Sequence, residues 1–232
     1  WNNGNTNKNS VLCANIVFSV NKEDNNCILT NGNASTYISN VLNLIEIDDT
    51  ISGRIAIDSD ILLKYLPKTE CIFKVDDNSL VLIDERKTVR LPIINRHENN
   101  DSILFVENNL KVSRDINEEV VVSPKTQLKT RIKVITEELS NALLDCEAVG
   151  NSVFQLEFDG ENLNVSSSNG RELVKVKLEP VDSIGEKACM EFSAPFFKYL
   201  EGRTTILSFN DESPLSVISG NIKMLRAPRI EA

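Results

Sequence analysis

Histidine is the side chain best suited to moving protons near neutral pH, and this sequence has one, His97, within the polar run Asn95-Arg96-His97-Glu98-Asn99-Asn100. A Ser/His/Asp triad, a Cys/His pair or a histidine general base would all have to be built on it. Two carboxylates can also share acid–base work, and Glu118–Glu119 and Glu137–Glu138 are adjacent pairs of that kind. Neighbouring acids on a helix or loop are ordinarily a solvated face. The five cysteines, Cys13, Cys27, Cys71, Cys146 and Cys189, form no CxxC pair. An odd, scattered set reads as reduced thiols packed as small apolar groups in an intracellular protein. Asp76-Asp77-Asn78 lacks the glycine and closing glutamate of a calcium loop, and reads instead as a hairpin turn. No HExxH, P-loop or GxGxxG pattern is present. The residues that could do chemistry thus define no catalytic set, cofactor site or metal site. Enzyme is the weaker class.

The elements that would carry any site come next. Of 232 residues, 41% are apolar and 25% charged, as in globular chains, and no run approaches eighteen uninterrupted apolar residues. No basic start is followed by a hydrophobic run, so a membrane span and a secretory signal are not expected within the chain. The formal charge of −9 argues against a protein held to nucleic acid by its overall field.

The sequence repeats itself at an offset of 134 residues, which lays Ile55–Ile83 on Cys189–Val217. Lys64-Tyr65-Leu66 meets Lys198-Tyr199-Leu200, and Ile72, Asp77 and Ser79 meet Ile206, Asp211 and Ser213. Each copy predicts a short alternating strand, a capped amphipathic helix, a strand, an acidic turn and another strand. In the first, Asp58 or Ser59 caps, Ile61, Leu62, Tyr65 and Leu66 form the apolar face, and Pro67 stops the helix. In the second, Ser193 caps, Pro195 sits in the first turn, Phe196, Phe197 and Leu200 face inward, and Gly202 ends it.

Upstream of each copy the pattern agrees more loosely. Arg131 to Ile135 alternates as a strand and leads into a helix with Leu139, Ala142, Leu143, Cys146 and Val149 on one face. Strands are expected at Val153–Phe158, Leu163–Ser166 and Leu173–Leu178, and in the first half at Ile16–Val20, Cys27–Leu29 and Ile38–Leu44. This is an α+β pattern: two similar domains of antiparallel sheets, each with short helices on one face. The domains are read as 1–94 and 130–232, joined by a connector over 95–129 that holds Ile103-Leu104-Phe105-Val106 and Val120-Val121-Val122 and has room for its own hairpin. Two domains with open sheet edges could join neighbouring chains into a closed ring.

The ending Leu225-Arg226-Ala227-Pro228-Arg229-Ile230-Glu231, after Thr205–Phe209 and Ser213–Val217, resembles the final strands of the proliferating cell nuclear antigen (PCNA) family of DNA sliding clamps. Arg54–Ile94, with its Val-Arg-Leu-Pro ending, resembles the second half of that family's first domain, and Thr130–Pro180 the start of its second. The resemblance implies the clamp fold, with the helices lining the inside of a ring, and a non-enzymatic processivity factor that encircles duplex DNA without reading sequence. It implies a homotrimer, with a mixed or checkpoint-type ring, or a viral processivity factor of the same fold, as alternatives. It also implies a clamp loader, DNA polymerase and other proteins bearing clamp-binding motifs as partners, and no cofactor, metal or membrane. A nuclear location would follow in a eukaryote and a cytoplasmic one in an archaeon.

Residue by residue, the resemblance places Lys64, Lys68, Lys198 and Arg203 toward DNA. A peptide pocket would be walled by Ser35, Thr36, Tyr37, Pro214, Leu225, Ala227 and Pro228, with Ile103, Leu104 or Phe105 closing it. Subunits would meet along Thr88, Val89, Arg90 and Leu91 on one side and Leu173, Val174, Val176 and Leu178 on the other. Three departures from the family pattern bear on this. The segment 95–129 is longer than the family's usual interdomain connector. Residues 1–14 are Asn-rich where a strand and helix are expected, so residues are missing upstream or the first unit is degenerate. The helix from Thr136 carries Glu137, Glu138, Asp145 and Glu147 without a base.

Overall fold

A computed structural model describes residues 15–32, 36–44, 47, 53–67, 70–76, 78–94, 121–123, 126–150, 153–193 and 196–229. The chain divides into two compact units, residues 1–106 and 107–232.

In the first unit, β1 (Asn15–Asn21), β2 (Asn26–Gly32), β3 (Thr36–Asn43) and β4 (Gly53–Asp58) form an antiparallel sheet in the order β3-β2-β1-β4. The helix α1 (Ser59–Tyr65) follows at once, because the Asp58 carboxylate accepts the Ile61 amide at 3.0 Å and caps it. Pro67 bars continuation, and the chain enters a second antiparallel sheet of β5 (Ile72–Asp76), β6 (Ser79–Ile83) and β7 (Thr88–Pro92). Ile16, Phe18, Ile55 and Ile57 from the first sheet meet Leu62, Leu80, Leu82 and Leu91 in one core.

The second unit repeats this plan and adds to it. A small bulged hairpin, β8 (Val121–Ser123) with β9 (Thr126–Gln127), falls within the expected connector. Then come β10 (Thr130–Ile135) and α2 (Thr136–Glu147), whose Leu139, Ala142, Leu143 and Cys146 are all buried, with Val149 just beyond. Next are β11 (Val153–Phe158), β12 (Leu163–Ser168), β13 (Leu173–Leu178), the short β14 (Asp182–Ile184) and β15 (Ala188–Ser193). They form a sheet in the order β13-β12-β11-β15, the counterpart of β3-β2-β1-β4. Finally β16 (Thr204–Phe209), β17 (Leu215–Ser219) and β18 (Ile222–Arg226) match β5-β6-β7, and here β10 and β14 extend the sheet beyond β16.

Two expectations are corrected. The helix expected after Ser193 is a single 3-10 turn, Phe197–Tyr199, closed by the Tyr199 amide on the Phe196 carbonyl at 3.0 Å. Phe196 is fully buried and packs 5.3 Å from Phe192, and Phe192 stacks 5.5 Å from Phe154. That anchoring fixes the backbone before a full helical turn develops, so packing overrides propensity. Phe197 and Leu200 are consequently half-buried rather than inward. In α1, Leu62 is buried, but Ile61 and Leu66 face outward, 37% and 41% exposed.

Candidate functional site

Of the four residues expected to face DNA, Lys64 lies in the last turn of α1, Lys198 in the 3-10 turn and Arg203 just before β16; all three are exposed. Lys68 lies outside the described residues. The Lys64 ammonium sits 5.2 Å from the Tyr65 ring centre and the Lys198 ammonium 5.7 Å from that of Phe197, close enough for the ring faces to attract them. The Arg203 carbonyl accepts the Thr136 amide at 3.1 Å, so this loop also holds one of the free N–H groups at the start of α2.

The outer face of α2 has the opposite sign. Glu137, Glu138, Asp145 and Glu147 are all exposed, and no base shares the helix. Glu137 and Glu138 sit where the helix dipole favours them, at the first turn. A shallow cleft between α2 and β13 is lined by Glu138, Asn141, Asp145, Lys177 and Glu179.

Both strands expected at the subunit contact lie at sheet edges. β7 is the last strand of β5-β6-β7, and β13 the last of β13-β12-β11-β15. An edge strand presents unpaired N–H and C=O groups to a further strand. Leu91 and Leu178 are buried within their own units, whereas Thr88, Arg90 and Leu173 are exposed and Val89, Val174 and Val176 half-buried. Arg90 is tied to its own sheet, 3.0 Å from Asp76 and 3.1 Å from the Ser79 hydroxyl, and the three line a cleft with Pro92. Lys175 on β13 pairs likewise with Glu157 at 2.8 Å.

The peptide-pocket residues fall on both units. Thr36 and Tyr37 open β3 in the first and are half-buried; Ser35, Ile103, Leu104 and Phe105 lie outside the described residues. In the second, Leu225 is buried in β18, Pro214 and Pro228 are half-buried, and Ala227 is exposed. The Arg229 amide donates to the Glu191 carbonyl at 2.8 Å, which fastens the C-terminal run to β15.

Of the residues weighed for catalysis, only Glu137 and Glu138 fall within the described residues. His97, Glu118 and Glu119 lie outside the described residues, and Glu137 and Glu138 are solvated. Among the described residues, no three Cys, His, Asp or Glu converge as metal ligands, and no helix is long and apolar enough to cross a membrane. Cys27, Cys71, Cys146 and Cys189 are free thiols. Burial pushes Cys27 and Cys146 up to about 11. It also lowers the Arg226 guanidinium to about 10; this side chain lies 5.8 Å from the Phe192 ring.

A group of exposed apolar side chains was not singled out from the sequence: Ile61 and Leu63 on α1, Ile72 on β5, and Leu144 on α2. The run Ile61-Leu62-Leu63 held the signal, since three consecutive residues cannot all face one side of a helix.

A sheet-and-helix unit that occurs twice, with β7 and β13 among the strands left at sheet edges, is the plan of the sliding-clamp fold. No protein-family model matches the chain, and no curated protein sequence does either. Solved clamp structures do match. PCNA from Thermococcus kodakaraensis aligns with a TM-score of 0.69 at 15% identity, over 93% of this chain and 91% of that one. A. fulgidus PCNA, solved with the C-terminal region of FEN-1, gives 0.70 at 12% identity over 95% and 91%. The DNA polymerase sliding clamp of Bacillus subtilis gives 0.75 at 16% identity over 98% of this chain, which spans only 59% of that clamp. The chain therefore has a PCNA-like clamp fold.

Proposed function

We propose that the chain is a subunit of a DNA sliding clamp, a ring that encircles duplex DNA and tethers a polymerase and other replication or repair proteins to it. The observation that carries this reading is the match to archaeal PCNA over more than nine tenths of both chains. The edges β7 and β13 support ring closure, since each can accept a strand from a neighbouring copy. A closed ring holds DNA by topology and needs only a weakly positive lining that moves along phosphates without locking onto bases. Lys64, Lys68, Lys198 and Arg203 supply that charge, and the overall charge of −9 belongs mainly to surfaces that do not meet DNA. Partner proteins dock through short peptides near Tyr37, Pro214 and the Leu225–Pro228 run. No catalysis, metal or cofactor is required, and the protein works wherever the cell keeps its duplex DNA.

The test is to reverse Lys64, Lys198 and Arg203 to Glu together. All three are exposed, so the fold and the ring should persist while stimulation of a cognate polymerase is lost. Unchanged stimulation would refute the DNA-facing assignment.

One observation favours a mixed ring over three identical chains. The exposed face of α2 carries four acids and no base, and a ring built from one chain would repeat that face in every subunit. A ring shared with a more basic chain would dilute it.

A further inference from the structure

In the second unit a chain of hydroxyls links the start of α2 to β16 and β17, and it can run in one direction only. Ser219 Oγ donates its proton to the Glu201 carbonyl at 2.7 Å and accepts the Glu201 amide at 2.9 Å. The 2.8 Å bond between Thr205 Oγ1 and Ser219 Oγ is therefore donated by Thr205, and the 3.0 Å bond between Thr136 and Thr205 by Thr136. Thr205 and Ser219 are fully buried, so a partner removed here leaves a polar group without water to replace it. Glu201, where the chain ends, lies between Lys198 and Arg203. Its carboxylate accepts the Asn221 amide at 2.9 Å. Beside it Gly220 has φ +57°, and a Cβ there would come within 2.8 Å of Glu201 Cγ. Glu201 is thus fastened by its amide, its carbonyl and its carboxylate to the turn Ser219–Asn221 between β17 and β18.

The first unit has a counterpart. The 134-residue offset lays Tyr65 on Tyr199 and Lys87 on Asn221. Between β6 and β7 the Asp84 carboxylate accepts the Arg86 and Lys87 amides at 2.8 and 2.9 Å, which shapes the turn. The Lys87 ammonium then donates to the Tyr65 carbonyl at 3.2 Å, and Tyr65 follows Lys64. In each unit the turn of the same hairpin reaches the helical element and binds its backbone beside a base. The chemistry differs between the two: a buried hydroxyl in the second unit, an exposed ammonium, weakened by solvent, in the first.

We propose that Ser219 and Lys87 are positioning residues for the charge that meets DNA, Ser219 holding Lys198 and Arg203 through Glu201, and Lys87 holding Lys64 through Tyr65. This rests on the DNA-facing reading of those bases and adds what sets their place. A base on a loose loop must be ordered each time it meets a phosphate, and that cost is subtracted from the contact. A base on a backbone already fastened avoids it. The buried latch makes Lys198 and Arg203 the more firmly placed pair and leaves Lys64 the more mobile charge.

Native-state hydrogen exchange and stimulation of a cognate polymerase, measured on the same variants, test it. Ser219→Ala should speed exchange of the Glu201 amide about tenfold and raise the concentration for half-maximal stimulation about fivefold. Thr205→Val should do less of both, because Ser219 keeps its bonds to Glu201. Ser167→Ala is the control: it removes a comparably buried hydroxyl, bonded to the Val153 carbonyl at 2.8 Å, from another sheet of the same unit, and should change neither readout. In the first unit Lys87→Met should raise the half-maximal concentration about twofold and Lys87→Arg much less. Arg86→Met takes the same charge from the same turn and should have no such effect. Equal effects of Ser219→Ala and Ser167→Ala would overturn the positioning role. If Lys198→Glu with Arg203→Glu abolishes stimulation while Ser219→Ala leaves it intact, the positioning role falls and the DNA-facing reading stands. If that charge reversal changes nothing, both fall.

Discussion

At the residue scale, two of the cysteines, Cys27 and Cys146, are buried structural thiols. Cys146 lies on the buried face of α2 with its thiol 3.7 Å from the Val165 carbonyl, and Cys27 joins the core of the first unit. Burial disfavours their thiolates, so both stay protonated well above the ordinary thiol range. A group whose folded pKa is raised contributes stability that is fully present below its unfolded value. For Cys27 and Cys146 that contribution is lost as pH climbs from about 9 toward about 11. Native-state alkylation at pH 8, read by mass spectrometry, should therefore modify the half-buried Cys71 and Cys189 well before Cys27 and Cys146. Prompt labelling of Cys146 would contradict its placement. Asp58 illustrates a different residue role. Its carboxylate holds one end of a seven-residue helix, and Asp58→Ala should cost about 1 kcal/mol in denaturant midpoint analysis, whereas Asp58→Asn should cost little.

At the scale of elements, how far the sequence could be read depended on whether local pattern and tertiary packing agreed. In α2 they agree: Leu139, Ala142, Leu143 and Cys146 recur at helical spacing and are all buried, as is Val149 just beyond the helix. β10, β11 and β15 alternate in burial along the strand, as a single covered face requires, and the 134-residue repeat showed that the plan occurs twice. The 3-10 turn was not legible. Ser193, Pro195 and Gly202 signal helix ends, but the burial of Phe196 against Phe192, which decides the geometry, is a contact between segments. The outward side of α1 was missed for a related reason, since Ile61 and Leu66 fit an apolar face by spacing and only the neighbouring elements determine which residues it covers. The candidate surfaces followed the same rule. The edge positions of β7 and β13 came through the resemblance, and their being open at the sheet edge is a property of the fold. Leu173 provides the element-scale test. It is 68% exposed on β13, so Leu173→Asp should leave the unfolding free energy of the isolated chain within about 0.5 kcal/mol of wild type. Sedimentation should nevertheless show weakened self-association if β13 joins a neighbour. Unaltered association would remove β13 from the interface.

At the scale of the whole molecule, the account turns on edges rather than on a catalytic centre. Each unit has a strand at a sheet edge, β7 in the first and β13 in the second, and a chain with two such edges can bind head to tail and close. In the proposed ring, the acids on α2 and the few bases on α1 and the 3-10 turn would leave DNA held by enclosure more than by attraction, so its grip should depend weakly on salt once closed. The most direct measurement is electron microscopy of the chain at micromolar concentration, purified alone and together with the clamp subunits that copurify with it. The account predicts closed particles with a central opening wide enough for duplex DNA in at least one of the two preparations. Compact particles with no opening in both would contradict it.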